Sequence, residues 1–233
     1  MKRLGFVALA STIAITAAAP ASATVLLPGE VGVAFSAFDA STRGVQLDSI
    51  QSGTTGATTY SGFLRSAVYR NTLGTLDFYY QVAITAIDFG DEVYNLTSAG
   101  FFGYSVEALV DGTDFDGAGF FTAANNPNTQ GPAGSTTTAS RNGSGSVLRA
   151  DFGANGLEGV GQTSATYIFR TNATGYDLGG TFTTQDGSVA QRANFQPTSL
   201  VPEPATWGMM LLGFGMVAGA VRYRRRGGKI VYA

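Results

Sequence analysis

The chain has 233 residues and a formal net charge of −2, and it contains neither cysteine nor histidine. These absences exclude disulfides, thiolate chemistry, Ser/His/Asp hydrolases and most zinc sites, because one or both residue types are essential to each. Between Thr24 and Leu200, seven arginines stand against fifteen acidic residues, a net charge of −8 that disfavours nucleic acid and anionic lipid headgroups as partners of this region.

The N-terminal residues MKRLGFVALASTIAITAAAPASA predict a secretory signal peptide. Two basic residues precede an apolar run that ends near Ala19, and the small residues Ala21 and Ala23 suit the shallow pockets of signal peptidase. We therefore expect residues 1–23 to form a signal-peptide helix that is removed after Ala23. An uncleaved anchor helix is the alternative.

Apolar residues in the middle of the chain recur with a period of two, which predicts β-strands. The strongest run is Leu76–Ile84, where one face would carry Leu76, Phe78, Tyr80, Val82 and Ile84 and the other Asp77, Tyr79, Gln81 and Ala83. Similar runs occur at Val31–Phe38, Gly62–Arg70, Gly100–Leu109, Val147–Phe152 and Ala165–Arg170. A hairpin turn is predicted at Asn71–Gly74.

These short strands, with no helical period among them, predict an all-β fold. We expect residues 24–200 to form one ectodomain, an antiparallel β-sandwich. The segment 122–146, TAANNPNTQGPAGSTTTASRNGSGS, shows no apolar period and is predicted to be a long flexible loop.

Three aspartates in the sequence DGTDFDGAG are weak candidates for a calcium site. Asp111, Asp114 and Asp116 supply the oxygen ligands that Ca²⁺ requires, but Gly112 stands where an EF-hand pattern needs a further ligand. Asp-Gly pairs are also ordinary turn residues, which is the competing interpretation. No cofactor is predicted.

Two further features bear on catalysis and on sugar binding. Asp88, Asp91 and Glu92 follow the strongest strand and could act as paired carboxylates of a glycosidase-like site, or could simply be acidic loop residues. Tyr79, on the second face of that strand, could stack on sugar rings, unless this face is buried as well.

The C-terminal residues combine a proline motif, an apolar run and a basic cluster. Residues 206–221 predict a transmembrane helix of about 24 Å, shorter than the roughly 30 Å hydrocarbon core. Anchoring and stop-transfer side chains at the two ends can compensate for the difference: Trp207, Arg222, Arg224, Arg225 and Arg226. The positive-inside rule places the arginines and the short tail 227–233 in the cytoplasm and the ectodomain outside the inner membrane.

The stretch PEPATWGMMLLGFGMVAGAVRYRRR resembles the PEP-CTERM sorting signal, in its proteobacterial variant with tryptophan after the motif. The resemblance covers residues 201–226. It implies that Pro202, Glu203 and Pro204 are recognised by an exosortase, and that the Gram-negative host makes exopolysaccharide or a biofilm matrix. The strand-rich sequences VYRNTLGTLDFYYQV and ATYIFRTNAT also resemble ectodomains of unassigned function found in other exosortase substrates.

Together these features predict an exported protein without enzymatic activity, held in the inner membrane with its ectodomain in the periplasm. After exosortase processing it would reach the cell surface or the extracellular matrix. The expected partners are signal peptidase, the exosortase and the inner membrane, with exopolysaccharide as a further candidate and no nucleic acid. A carbohydrate-binding module and a carboxylate-dependent secreted hydrolase are the alternatives.

Overall fold

The computed structural model describes residues 24–117, 119–126, 129, 137–153, 156–198 and 204–226, and within the last range the side chains of residues 208–223. The predicted signal peptide, residues 1–23, and the predicted cytoplasmic tail, residues 227–233, lie outside the described residues.

The described residues contain thirteen β-strands, a short 3₁₀ helix at Ala40–Thr42 and one α-helix. In chain order the strands are β1 (Thr24–Val25), β2 (Val33–Ala34), β3 (Ser36–Ala37), β4 (Val45–Gly53), β5 (Tyr60–Arg70), β6 (Leu76–Ile87), β7 (Asn95–Ala99), β8 (Val106–Asp111), β9 (Thr138–Arg141), β10 (Val147–Asp151), β11 (Thr166–Thr171), β12 (Gly175–Gln185) and β13 (Val189–Thr198). The helix α1 spans Pro204–Arg226.

The strands form two sheets whose inner faces share one hydrophobic core. The first sheet has the order β1-β8-β11-β6-β5-β4, with β3 also paired to β8, and the second has the order β13-β12-β7-β10-β9-β2. Among the strands described, β3 pairs parallel with β8 and the other pairings are antiparallel. The prediction of an all-β, antiparallel sandwich is confirmed.

The N-terminal segment closes one side of the sandwich by pairing with both sheets. Strands β1 and β3 cover the outer edge of β8, while β2 between them pairs with β9 of the second sheet. The predicted strand Val31–Phe38 is therefore divided in two, because the backbone crosses from one sheet to the other at Phe35, whose ring is buried in the core.

The buried Arg141 holds this segment to its neighbours. Its guanidinium donates hydrogen bonds to the carbonyl oxygens of Leu26, Phe101, Tyr104 and Gly145, at 2.8 to 3.1 Å. Burial lowers the pKa of Arg141. Because each donated bond satisfies a carbonyl that would otherwise be desolvated, this one side chain connects three turns at the same end of the sandwich.

The outer face of the first sheet is covered by a second aromatic cluster. Tyr69 and Tyr79 lie with ring centroids 4.4 Å apart, and Phe115 and Phe121 from the segment after β8 pack over them. The guanidinium of Arg43 lies 3.7 Å from the centroid of the Phe115 ring, a cation–π contact. Both faces of β6 are consequently buried.

The prediction of one continuous flexible loop over 122–146 is wrong. Thr138–Arg141 forms β9, which pairs with β10 along its whole length. At the start of the segment, the side-chain amide of Gln81 donates to the carbonyl of Thr122 and accepts from its backbone N–H, which fixes this residue on the first sheet. The sequence shows no alternation of apolar residues that would predict β9, because Ala139 is the single apolar residue of this strand.

The sandwich has two ends, which the strand register identifies. At the near end, as we name it, β13 stops at Thr198 beside Gly175, and the connections 99–106 and 171–175 pass from one sheet to the other. At the far end lie the β6–β7 connection, residues 88–94, and the β12–β13 turn, residues 186–188. The chain leaves the domain toward α1 at the near end.

Candidate functional site

The predicted sorting residues lie at the start of α1 and just before it. Pro204 is the first residue of this helix, whereas Pro202 and Glu203, like the signal-peptidase residues Ala21 and Ala23, lie outside the described residues. The basic cluster falls within its last five residues, and Arg222 is exposed. The helix thus begins at the second proline of the motif, where proline is well tolerated because a first-turn N–H has no partner within the helix.

Apolar side chains of α1 are exposed around the helix. Each of eight is between 49% and 74% exposed: Met209, Met210, Leu211, Leu212, Phe214, Met216, Val217 and Val221. Between them stand Gly213, Gly215 and Gly219, where an added Cβ would meet no atom within 4 Å. Such a surface is costly in water and favours an apolar environment.

The helix α1 covers residues 206–221, the range that was predicted to cross the membrane. In the portion of the chain that the structure describes, no helix has both the length and the hydropathy needed to cross a membrane.

Two of the three calcium candidates are held by other contacts. Asp111, at the end of β8, forms an ion pair with Arg43 at 2.5 Å and accepts hydrogen bonds from Thr113. A carboxylate oxygen of Asp116 accepts the backbone N–H of Phe121 at 2.9 Å. Among the described residues no three acidic, histidine or cysteine side chains are grouped closely enough to hold a metal ion, so the structure does not assemble Asp111, Asp114 and Asp116 into a site.

The carboxylates predicted after the strongest strand come together at the far end. Asp88, Asp91 and Glu92 line an open pocket of about 450 Å³. Glu158, Val160 and the fully exposed Phe89 also line this pocket. The surface is open and acidic, and Glu92 is partly engaged because one of its carboxylate oxygens accepts the backbone N–H of Gly156 at 3.1 Å.

Asp186 adds a further negative charge to this end. It lies in the β12–β13 turn, where it accepts a hydrogen bond from the Thr59 hydroxyl at 2.8 Å. The pKa of Asp91 is raised, first by local desolvation and then by the charges of Asp186 and Asp88. No pattern in the sequence groups Asp186 or Glu158 with the loop after β6, because only folding brings these segments to the same end.

Tyr79 cannot serve as an exposed platform for sugars in this structure. Its side chain is completely buried in the second aromatic cluster, beneath Phe115 and Phe121. The interpretation of Tyr79 as a residue of a buried second face is therefore the correct one, and the carbohydrate-binding alternative loses the residue that suggested it.

Comparison with known proteins identifies the tail. Residues 200–226 match the family model of the PEP-CTERM protein-sorting motif, which confirms the resemblance drawn from the sequence. No curated protein and no solved structure matches the chain. The match covers Leu200 to Arg226, and thus the whole of α1, but none of the thirteen strands.

Proposed function

We propose that this protein is a non-enzymatic surface component whose β-sandwich is carried through the envelope by its C-terminal signal. The observation that carries the proposal is the PEP-CTERM motif, which makes the chain an exosortase-sorted exported protein. The motif follows directly on β13 and ends with α1, so the sorting signal and the folded domain are adjacent but separate units.

The physical properties of the tail suit a cleavage signal attached to a temporary anchor. Proline fixes φ and disfavours helix in the residue before it, so prolines at positions 202 and 204 are suited to a segment that an enzyme must recognise in extended form. The exposed apolar side chains of α1 would lie in the inner membrane, and the arginines at its end would remain in the cytoplasm. The domain would then stand on the periplasmic side until the tail is cut.

A non-enzymatic role is supported by how the polar side chains of the domain are used. Asp111 is paired with Arg43, and the buried Asp77 is paired with Arg170 at 3.2 Å. At the far end, the carboxylates line an open pocket in which Asp88 is exposed and Asp91 and Glu92 are half-buried. General acid–base catalysis requires a carboxyl group positioned against a bound substrate, which an open surface does not provide.

The proposal is tested by replacing the charge in the sorting motif. In a host that contains the exosortase, Glu203→Ala should abolish processing, so that the variant keeps its tail and remains in the membrane fraction. The matched control is Glu158→Ala, which removes one carboxylate from the far end of the domain and should leave processing unchanged. Immunoblots of fractionated cells report both the size and the location of each variant.

Processing of Glu203→Ala at the wild-type rate would contradict recognition of this motif. If Glu203→Ala and Glu158→Ala both stay unprocessed, processing depends on the folding of the domain rather than on the tail motif. The proposal would fail in this case as well.

A further inference from the structure

Four apolar side chains are exposed together at the near end of the sandwich. Val25 is 51% exposed, Leu27 55%, Leu73 73% and Phe102 72%. They come from three separate parts of the chain, namely the N-terminal segment, the β5–β6 turn and the connection between β7 and β8. We call them the near-end patch.

Three of the four side chains line two shallow pockets of about 230 and 330 Å³. Both pockets are lined by Val25, while Leu73 lines the first and Leu27 the second. Phe102 directly precedes Gly103, which lines the second pocket. Exposed apolar side chains grouped in this way mark a contact site on a soluble domain.

The short connection between β13 and α1 limits how far the near-end patch can lie from this helix. Strand β13 ends at Thr198 at the near end, and α1 begins at Pro204. Six Cα–Cα steps separate these two residues, so the fully extended chain spans at most about 22 Å between them. Wherever α1 is embedded, the near end of the domain is therefore kept close to it.

The distribution of charge also distinguishes the two ends. Of the charged side chains that line the pockets beside the patch, both guanidinium groups are already engaged, Arg141 with backbone carbonyls and Arg170 with Asp77, and Glu107 is the carboxylate. The far end instead carries a cluster of carboxylates, comprising Asp88, Asp91, Glu92, Glu158 and Asp186. Lipid phosphates would repel the far end, whereas the near end presents mainly apolar groups to them.

We propose that the near-end patch rests on the surface of the membrane that holds α1, so that the acidic far end points away from the bilayer. The inference rests on the proposed function, because it requires that the tail is embedded before it is cut. The domain's net charge of −8 predicts repulsion from anionic headgroups, and this orientation keeps the far-end cluster of carboxylates away from them.

The test uses the mature chain with its complete tail, reconstituted in phosphatidylcholine nanodiscs that contain a lipid-attached nitroxide quencher. Because the chain has no cysteine, single substitutions give one fluorescent label each. Leu73→Cys and Phe102→Cys report on the near-end patch, Phe89→Cys is the matched exposed aromatic control at the far end, and Phe214→Cys reports on α1. We expect quenching at 214, clear quenching at 73 and 102, and no quenching at 89.

The outcomes separate the orientation of the domain from the embedding of α1. Quenching at 214 without quenching at 73 and 102, or with equal quenching at 89, would overturn the orientation but would still show that α1 is embedded. Absence of quenching at 214 would contradict the embedded tail and, with it, both proposals. As a second check, Leu73→Asp should reduce the quenching of a label at 102, whereas Val160→Asp at the far end should not; equal effects would also overturn the inference.

Discussion

At the scale of single residues, the buried tyrosines show how differently a hydroxyl can be accommodated. The Tyr80 hydroxyl donates to the carbonyl of Phe195 at 2.9 Å, across the core from the first sheet to the second. The Tyr79 hydroxyl is also buried; it lies beside the Arg43 guanidinium but makes no hydrogen bond of good geometry within the described residues. Burial raises the pKa of both phenols, so both are neutral at every pH at which the fold would be studied.

This difference predicts opposite results for one and the same substitution. Tyr80→Phe leaves the carbonyl of Phe195 unsatisfied and should lower the free energy of unfolding by about 1 to 3 kcal/mol. Tyr79→Phe removes a hydroxyl whose contact with the Arg43 guanidinium has poor hydrogen-bond geometry, and it should change the free energy of unfolding by less than about 0.5 kcal/mol, or raise it. Urea unfolding followed by circular dichroism measures both values, and a larger loss for Tyr79→Phe than for Tyr80→Phe would refute the assignment.

The sequence predicted the direction of these side chains but not their partners. Strict alternation places Phe78 and Tyr80 on one face of β6 and Tyr79 on the other, as observed. That Tyr79 is covered depends on Phe115 and Phe121, which arrive from a segment with no regular pattern. Such a cover is a tertiary contact between residues far apart in the chain, and periodicity carries no information about it.

At the scale of elements, strands β5 and β6 show a close backbone approach that requires glycine. The register of this pair shifts between Ser61 and Gly62, which is the mark of a β-bulge. A Cβ at Gly62 would lie 2.0 Å from the carbonyl oxygen of Ala83. No flexible side chain can give way there, because the obstructing atom belongs to the backbone of the neighbouring strand.

Gly62→Ala should therefore lower the free energy of unfolding by about 3 kcal/mol, because β5 and β6 must separate to admit the methyl group. Gly53→Ala on β4 is the matched control, since the nearest atoms to its added Cβ lie 3.9 and 4.0 Å away. We expect a change within about 0.5 kcal/mol for this variant. Thermal unfolding of the two proteins would decide the matter, and similar melting temperatures would show that the bulge adapts.

The strands that could be predicted from the sequence are those with large apolar residues on one face. β5, β6, β10 and β11 belong to this class. Strands β12 and β13 were missed because threonine, glycine and polar residues dominate them, even though each contributes a buried phenylalanine to the core. β12 pairs with both β13 and β7, and this pairing sets the position of β12 and β13 in the sheet. Pairing between distant parts of the chain cannot be read from composition.

At the scale of the whole molecule, the chain is an acidic sandwich with two unlike ends followed by an apolar helix. The tail could be identified completely from sequence, because a sorting signal is a linear motif that is recognised by its order of residues. The two ends could not, because the carboxylates at 88–92, 158 and 186 and the apolar side chains at 25, 27, 73 and 102 are brought together only by folding. A local pattern thus identifies the sorting motif, whereas the two unlike ends, on which the proposed orientation depends, arise only from the topology.

The sorting of this chain by an exosortase can be measured from the intact mass of the exported protein in cells with and without the enzyme. We expect the chain to lose its tail in the region of Pro202, Glu203 and Pro204 only when the enzyme is present. Without the enzyme, it should remain in the inner membrane at the mass expected after removal of the signal peptide alone. The same mass and location in both strains would show that the tail is a simple membrane anchor and that the chain is not an exosortase substrate.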